Sequence, residues 1–115
     1  MHVTLRTPNL ATSAQVQTSQ FSDLAKGGFM VIVNDRPDRE SDDQPLSSEL
    51  AGEAKWQGLG YAYIPIVPGE ISDCDAREFG DVLCAASRPA PACCRTGNQS
   101  QKLWKRAALL GLLPH

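Results

Sequence analysis

At 115 residues, with 42% hydrophobic and 21% charged side chains, the chain has material for one core and no more, so residues 1–115 are read as a single domain. A net charge of −2 leaves no basic footprint for nucleic acid, and no apolar run approaches the ~20 residues of a membrane span. The opening stretch MHVTLRTPNLATSA lacks the apolar block of a secretory signal, which makes the cytoplasm the expected location.

In chain order, Asn9 to Ala14 supplies a short first strand. Thr18 then caps a helix whose apolar positions are Phe21, Leu24 and Ala25, stopped by Gly27-Gly28. Phe29 to Val33, FMVIV, is a continuous apolar run rich in β-branched residues, the pattern of a strand covered on both faces. Asn34 to Gln44 follows as a solvated loop with five acidic side chains. Pro45 opens a second helix with Leu46, Leu50, Ala51 and Ala54 on one side, ended by Gly58 and Gly60. Tyr61 to Val67 reads as another strand, with Pro65 marking an edge or the strand's end, and Pro68-Gly69 turns the chain. Ser72 and Asp75 have the spacing of a capping box for a third helix, with Ala76, Phe79, Gly80, Leu83 and Ala86 buried. The Pro89–Pro91 segment breaks that helix. A last helix, about Gln99 to Leu113, turns Leu103, Ala107 and Leu110 inward. Strands alternating with helices predict an α/β fold with a small, mostly parallel sheet flanked by helices.

The four cysteines, Cys74, Cys84, Cys93 and Cys94, suit neither a disulfide scaffold nor a metal site. Neighbouring residues hold their side chains apart. There is no C-x-x-C pair, and His2 and His115 lie far from the cysteines in sequence. No metal and no cofactor are expected. Cys74, Cys84 and Cys93 read as packing residues, and Trp56 and Trp104 as core or partly covered surface. Cys94 is different. It ends a short apolar approach and is followed by a polar turn, Arg95, Thr96, Gly97, Asn98 and Gln99, and then by a helix start at Ser100. Strand, tight loop and helix N-terminus in that order make an anion site, and a cysteine at its mouth is placed to act as a thiolate nucleophile. Lys102, Lys105 and Arg106 form either a solvated face or an anion-attracting rim.

VIVNDRPD, then GLGYAYIPIVPGEIS, then CCRTGNQS with KLW resemble a bacterial family of phosphatase-like proteins also classed as sulfur transferases. The family is related to the phosphatase-like domain of beta-lactamase hydrolase-like proteins, and the likeness runs from about Pro8 to Ala108. It implies a dual-specificity-phosphatase type of fold, a catalytic cysteine at Cys94, a substrate-binding loop of Arg95, Thr96, Gly97, Asn98 and Gln99, and an assisting hydroxyl at Ser100. It also implies a small anionic substrate (thiosulfate, a persulfide or a phosphoester) and a partner in a β-lactamase-fold, sulfur-oxidising hydrolase. Two departures bear on the chemistry. Cysteine phosphatases carry arginine five places after the cysteine, where this chain has Gln99, and a side chain at the position of Arg95 usually points away in such loops. The phosphatase fold that the resemblance implies usually offers an aspartic general acid shortly after the strand matched by Tyr61–Val67, where this chain offers Glu70 or Asp73. Asp38, beyond the end of a central strand, is a further catalytic candidate. The loop CRTGNQ satisfies a rhodanese-like pattern, so sulfur transfer is the leading expectation. Low-activity phosphoester hydrolysis and a catalytically silent anion-binding module stand as alternatives.

Overall fold

The computed structural model describes residues 3–7, 10–86 and 90–113. Its elements are β1 (Thr4–Thr7), β2 (Leu10–Ser13), a 3-10 turn at Thr18–Gln20 running into α1 (Phe21–Lys26), β3 (Val31–Asn34), α2 (Ser47–Trp56), β4 (Gly60–Tyr63), α3 (Asp73–Ala85), β5 (Ala90–Cys93) and α4 (Asn98–Leu109). The sheet runs β1-β2-β5-β3-β4, parallel except where β1 pairs with β2. This is the expected α/β class, with an antiparallel edge strand added.

Consecutive residues of β3 explain the layering. Val33 joins one apolar cluster with Phe79, Leu83, Leu103 and Ala107, beneath α3 and α4. Ile32 joins another with Phe21, Leu24, Leu50 and Ala54, beneath α1 and α2. Side chains alternate faces along a strand, so a run such as VIV is used fully only when helices cover both sides.

Boundaries depart from the sequence reading for identifiable reasons. Met30 is 49% exposed and lies outside β3, while Asn34 is buried within it. Thr18 is not the cap of α1: the chain enters through the 3-10 turn, with Gln17 N–H donating to Gln20 Oε1 at 2.8 Å. β4 is an edge strand and ends at Tyr63, two residues before Pro65. Beyond it the Ile64 and Ile66 N–H groups donate to Asn34 O and Asp35 O, both at 2.9 Å, so Pro65 sits where no donor is needed. α3 ends at Ala85, ahead of the strand as expected, and Pro91 itself belongs to β5. Pairing of β5 with β3 begins only at Ala92, so the missing N–H falls outside that ladder. Pro89, the first residue of the expected break, lies outside the described residues, as does Asn9.

The capping box of α3 is present: Asp75 N–H donates to Ser72 Oγ and Ser72 N–H to Asp75 Oδ2, each at 3.1 Å. At the other end of the molecule α4 stops at Leu109 rather than Leu113. Gly111, at φ +70, lets Leu112 N–H return to Ala107 O at 3.0 Å, which leaves Leu110 44% exposed instead of buried. Trp56 is 83% exposed, and Cys74 and Cys84 also face solvent, so none of the three packs as expected. All four cysteines are free thiols.

The segment after α4 presses on α3 at Gly80, where a Cβ would stand 2.7 Å from the carbonyl oxygen of Leu112. That oxygen is backbone and cannot swing aside. Gly80→Val is expected to destabilise the fold by about 1–3 kcal/mol, read from the midpoint of urea unfolding. An unchanged midpoint would show that the segment yields freely.

Candidate active site

The register of the parallel sheet sets the site. Asn34 on β3 and Cys93 on β5 are paired, so the next residues, Asp35 and Cys94, leave neighbouring strands side by side at their carboxyl ends. Ligands collect at that end of parallel sheets. Three backbone bonds pin the exit: Asp35 N–H to Cys93 O at 2.8 Å, Cys94 N–H to Ser13 O at 3.4 Å, and Ile66 N–H to Asp35 O. The chain then turns through Arg95 and Thr96 to Gly97, whose φ of +92 glycine adopts without strain. Gly97 caps α4, and its N–H donates to Cys94 Sγ at 3.0 Å. The sulfur thus receives an amide at the head of a helix.

A cavity of about 310 Å³ opens beside it, lined by Asp35, Arg36, Pro37, Glu40, Ile66, Pro68, Cys94, Arg95, Thr96 and Gln99. The structure therefore brings Cys94, Arg95, Thr96 and Gln99 together. Arg95 is exposed at the rim but does line the cavity, contrary to the expectation that it points away. Gly97 and Asn98 continue the loop, with Asn98 N–H reaching Thr96 Oγ1 at 3.4 Å. Ser100 is buried in the first turn of α4, behind the cavity wall.

The acids singled out from the sequence lie elsewhere. Asp38 Oδ1 accepts the Ser47 N–H at 2.7 Å, which caps α2, and its own N–H donates to Tyr63 Oη. Glu70 is exposed in the turn at Val67–Glu70, outside the cavity lining. Asp73 is held by Arg106 at 2.7–2.8 Å. Arg106 is thereby occupied, and neither Lys102 nor Lys105 reaches the cavity.

Two residues of the acidic loop were missed as site residues. Asp35 is not solvated: it is 0% exposed, and among the described residues neither carboxyl oxygen has a hydrogen-bond partner. Burial pushes its acid up from the usual 3.8 to about 7. The Ser100 hydroxyl partly opposes that rise without reaching hydrogen-bonding geometry, and Asp75 adds to it. Arg36 is also buried, its Nε on Glu40 Oε1 at 2.9 Å, Nη1 on Gln15 Oε1 at 3.0 Å and Nη2 on Ser41 Oγ at 3.2 Å. A signal existed for Asp35. It follows one buried strand as Cys94 follows another. Cys93 behaves as expected, packed in its strand, with its thiol pushed up to about 12 by burial and then by Asp35.

A family model described as the phosphatase-like domain of beta-lactamase hydrolase-like protein matches residues 2–110. A beta-lactamase hydrolase-like protein of Agrobacterium fabrum C58 is 30% identical over 95 residues, 83% of this chain. One from Xylella fastidiosa Temecula1 is 28% identical over the same share, and the chain spans only 22% of the length of either relative. Among solved structures, a "putative phosphatase" of Neisseria meningitidis Z2491 superposes with a TM-score of 0.78 at 29% identity, covering 90% of this chain and 75% of that one. Another, from Shewanella putrefaciens CN-32, gives 0.77 at 22% identity, covering 98% and 71%, and shares the fold.

Proposed function

Because the chain belongs to the family of phosphatase-like domains of beta-lactamase hydrolase-like proteins, we propose that it is a cysteine-centred transfer enzyme on that fold, with Cys94 as nucleophile and sulfane sulfur as its cargo. One observation carries the reading. The cavity beside Cys94 Sγ has Gln99 where a phosphatase needs a free guanidinium, and a buried carboxyl opposite. Arg36 is spent on Glu40, Gln15 and Ser41, which leaves Arg95 at the rim as the cavity's uncommitted cation among the described residues. A transferring phosphoryl group calls for a guanidinium fork on its oxygens, and Gln99 offers none. A sulfane sulfur is soft and asks mainly for an amide, which Gly97 supplies.

The Cys94 thiolate attacks the outer sulfur of a donor such as thiosulfate. A sulfur–sulfur bond forms, the bond to the sulfonate breaks, and sulfite leaves with the electron pair. An acceptor thiolate then takes the outer sulfur and restores Cys94. Arg95 steers the anionic donor, and Thr96 and Gln99 line its berth. The partner that fits this role is a β-lactamase-fold, sulfur-oxidising hydrolase; the longer relatives carry the name beta-lactamase hydrolase-like protein.

Intact mass after incubation with thiosulfate tests this. A gain of one sulfur atom is expected, and Cys94→Ser abolishes it. No gain in the wild type, together with Cys94-dependent release of phosphate from an aryl phosphate, would overturn the reading. That second reading, a weak phosphatase, is favoured by the family and by the Neisseria structure. It is opposed by Gln99, which stands where the phosphoryl-binding arginine would be.

A further inference from the structure

We propose that Asp35 is the acid–base residue of this site, taking the thiol proton of Cys94 and returning it to the departing group. The inference rests on Cys94 being the nucleophile, and it is carried by position. Asp35 and Cys94 are the first residues past a registered pair on adjacent parallel strands, which run about 4.8 Å apart. Both line one cavity. The backbone of Asp35 is fixed on both sides, by Cys93 O and by Ile66 N–H, so its carboxyl does not move off with a mobile loop. Both carboxyl oxygens are buried and without a hydrogen-bond partner among the described residues. A carboxyl left so is costly in a structural role, since a merely structural acid is ordinarily hydrogen-bonded or paired.

Arg36, Glu40 and Arg95 line the cavity with Asp35, and Arg36 and Glu40 neutralise each other as a pair. Cys93 approaches from β5 and Asp75 acts from α3. None of these pairs with the carboxyl. With its acid raised to about 7, Asp35 is near half-ionised at neutrality, where a group can both accept and donate a proton. In the transfer step the proton moves from Cys94 Sγ to a carboxylate oxygen of Asp35. The new sulfur–sulfur bond forms as the donor's own bond breaks, and Asp35 then protonates the departing sulfite, which leaves as bisulfite. Thiol plus thiosulfate gives persulfide anion plus bisulfite, with charge and protons balanced.

The test follows alkylation of Cys94 by iodoacetamide across neutrality, read by peptide mass so that exposed Cys74 and Cys84 do not interfere. In the wild type the rate is expected to climb through an inflection near pH 7 as Asp35 loses its proton. In Asp35→Asn that inflection vanishes. Superposable profiles would overturn the proposal. So would an Asp35→Asn protein that reacts faster at every pH, because Asp35 would then be only a repelling charge. A second measurement needs no change at position 35: the carboxyl titration of Asp35, followed by carbon NMR, is expected to shift in Cys94→Ser, and an unmoved titration would refute the coupling. Neither experiment uses a sulfur donor. If thiosulfate loads no sulfur while the inflection holds, the sulfur reading fails and the proton path stands.

Discussion

Asp35→Asn is expected to stabilise the protein by about 4 kcal/mol above neutrality and to change it little below about pH 4. In the folded protein the acid lies near 7, against 3.8 when solvated, first through burial and then through Asp75, with Ser100 opposing. Because the folded value is raised, the unfolded chain releases this proton first as pH climbs. Between about 4 and about 7 the native state therefore binds more protons than the unfolded state, and stability falls with rising pH. Each tenfold difference in acidity is worth about 1.4 kcal/mol, so a rise of about three such steps costs the native protein roughly 4 kcal/mol once Asp35 is ionised. Asparagine keeps the shape and removes the ionisation. Urea unfolding of both proteins at several pH values checks this: the two should converge in acid and diverge up to neutrality. A gap that does not vary with pH would mean that the carboxyl is solvated in the folded protein, and a gap of opposite slope that it is paired.

That cost shows where the sequence was legible and where it was not. The strand FMVIV and the box at Ser72 and Asp75 were readable because one-dimensional pattern decides them: β-branched runs need two covering layers, and a capping box is a local hydrogen-bond geometry. Cys94 was readable because strand, loop and helix follow in sequence. Asp35 was legible only as a residue that follows a buried strand, because its neighbour in space is nearly sixty residues away in the chain. In composition it is one of five acids in a polar loop, and only the Asn34–Cys93 register separates it from Asp42 and Asp43, which are exposed. The same register explains why Asp38 lies away from the cavity. It stands three residues past Asp35, where the chain has already left the sheet and turned to cap α2. β1 was missed because its exposed Leu5 and Arg6 leave no apolar signature at the sheet edge.

Gln99→Arg alone is expected to leave hydrolysis of p-nitrophenyl phosphate close to its starting level, whereas Gln99→Arg combined with Asp35→Asn raises it by about 10²-fold or more. Residue 99 lines the cavity with Asp35, and the Gln99 Oε1 is itself buried and without a partner among the described residues. A guanidinium introduced there meets the carboxyl before it meets any substrate. The opposite charge draws Asp35 toward its ionised form, and the fork closes on that carboxylate. The pair is then neutral, and the phosphate dianion gains nothing. Replacing Asp35 by asparagine frees the guanidinium for the phosphoryl oxygens, and nitrophenolate is a weak enough base to leave without an acid. The two substitutions should therefore be far from additive, as coupled neighbours are. A large gain from Gln99→Arg by itself would show that Asp35 does not face residue 99 and leaves an introduced guanidinium free.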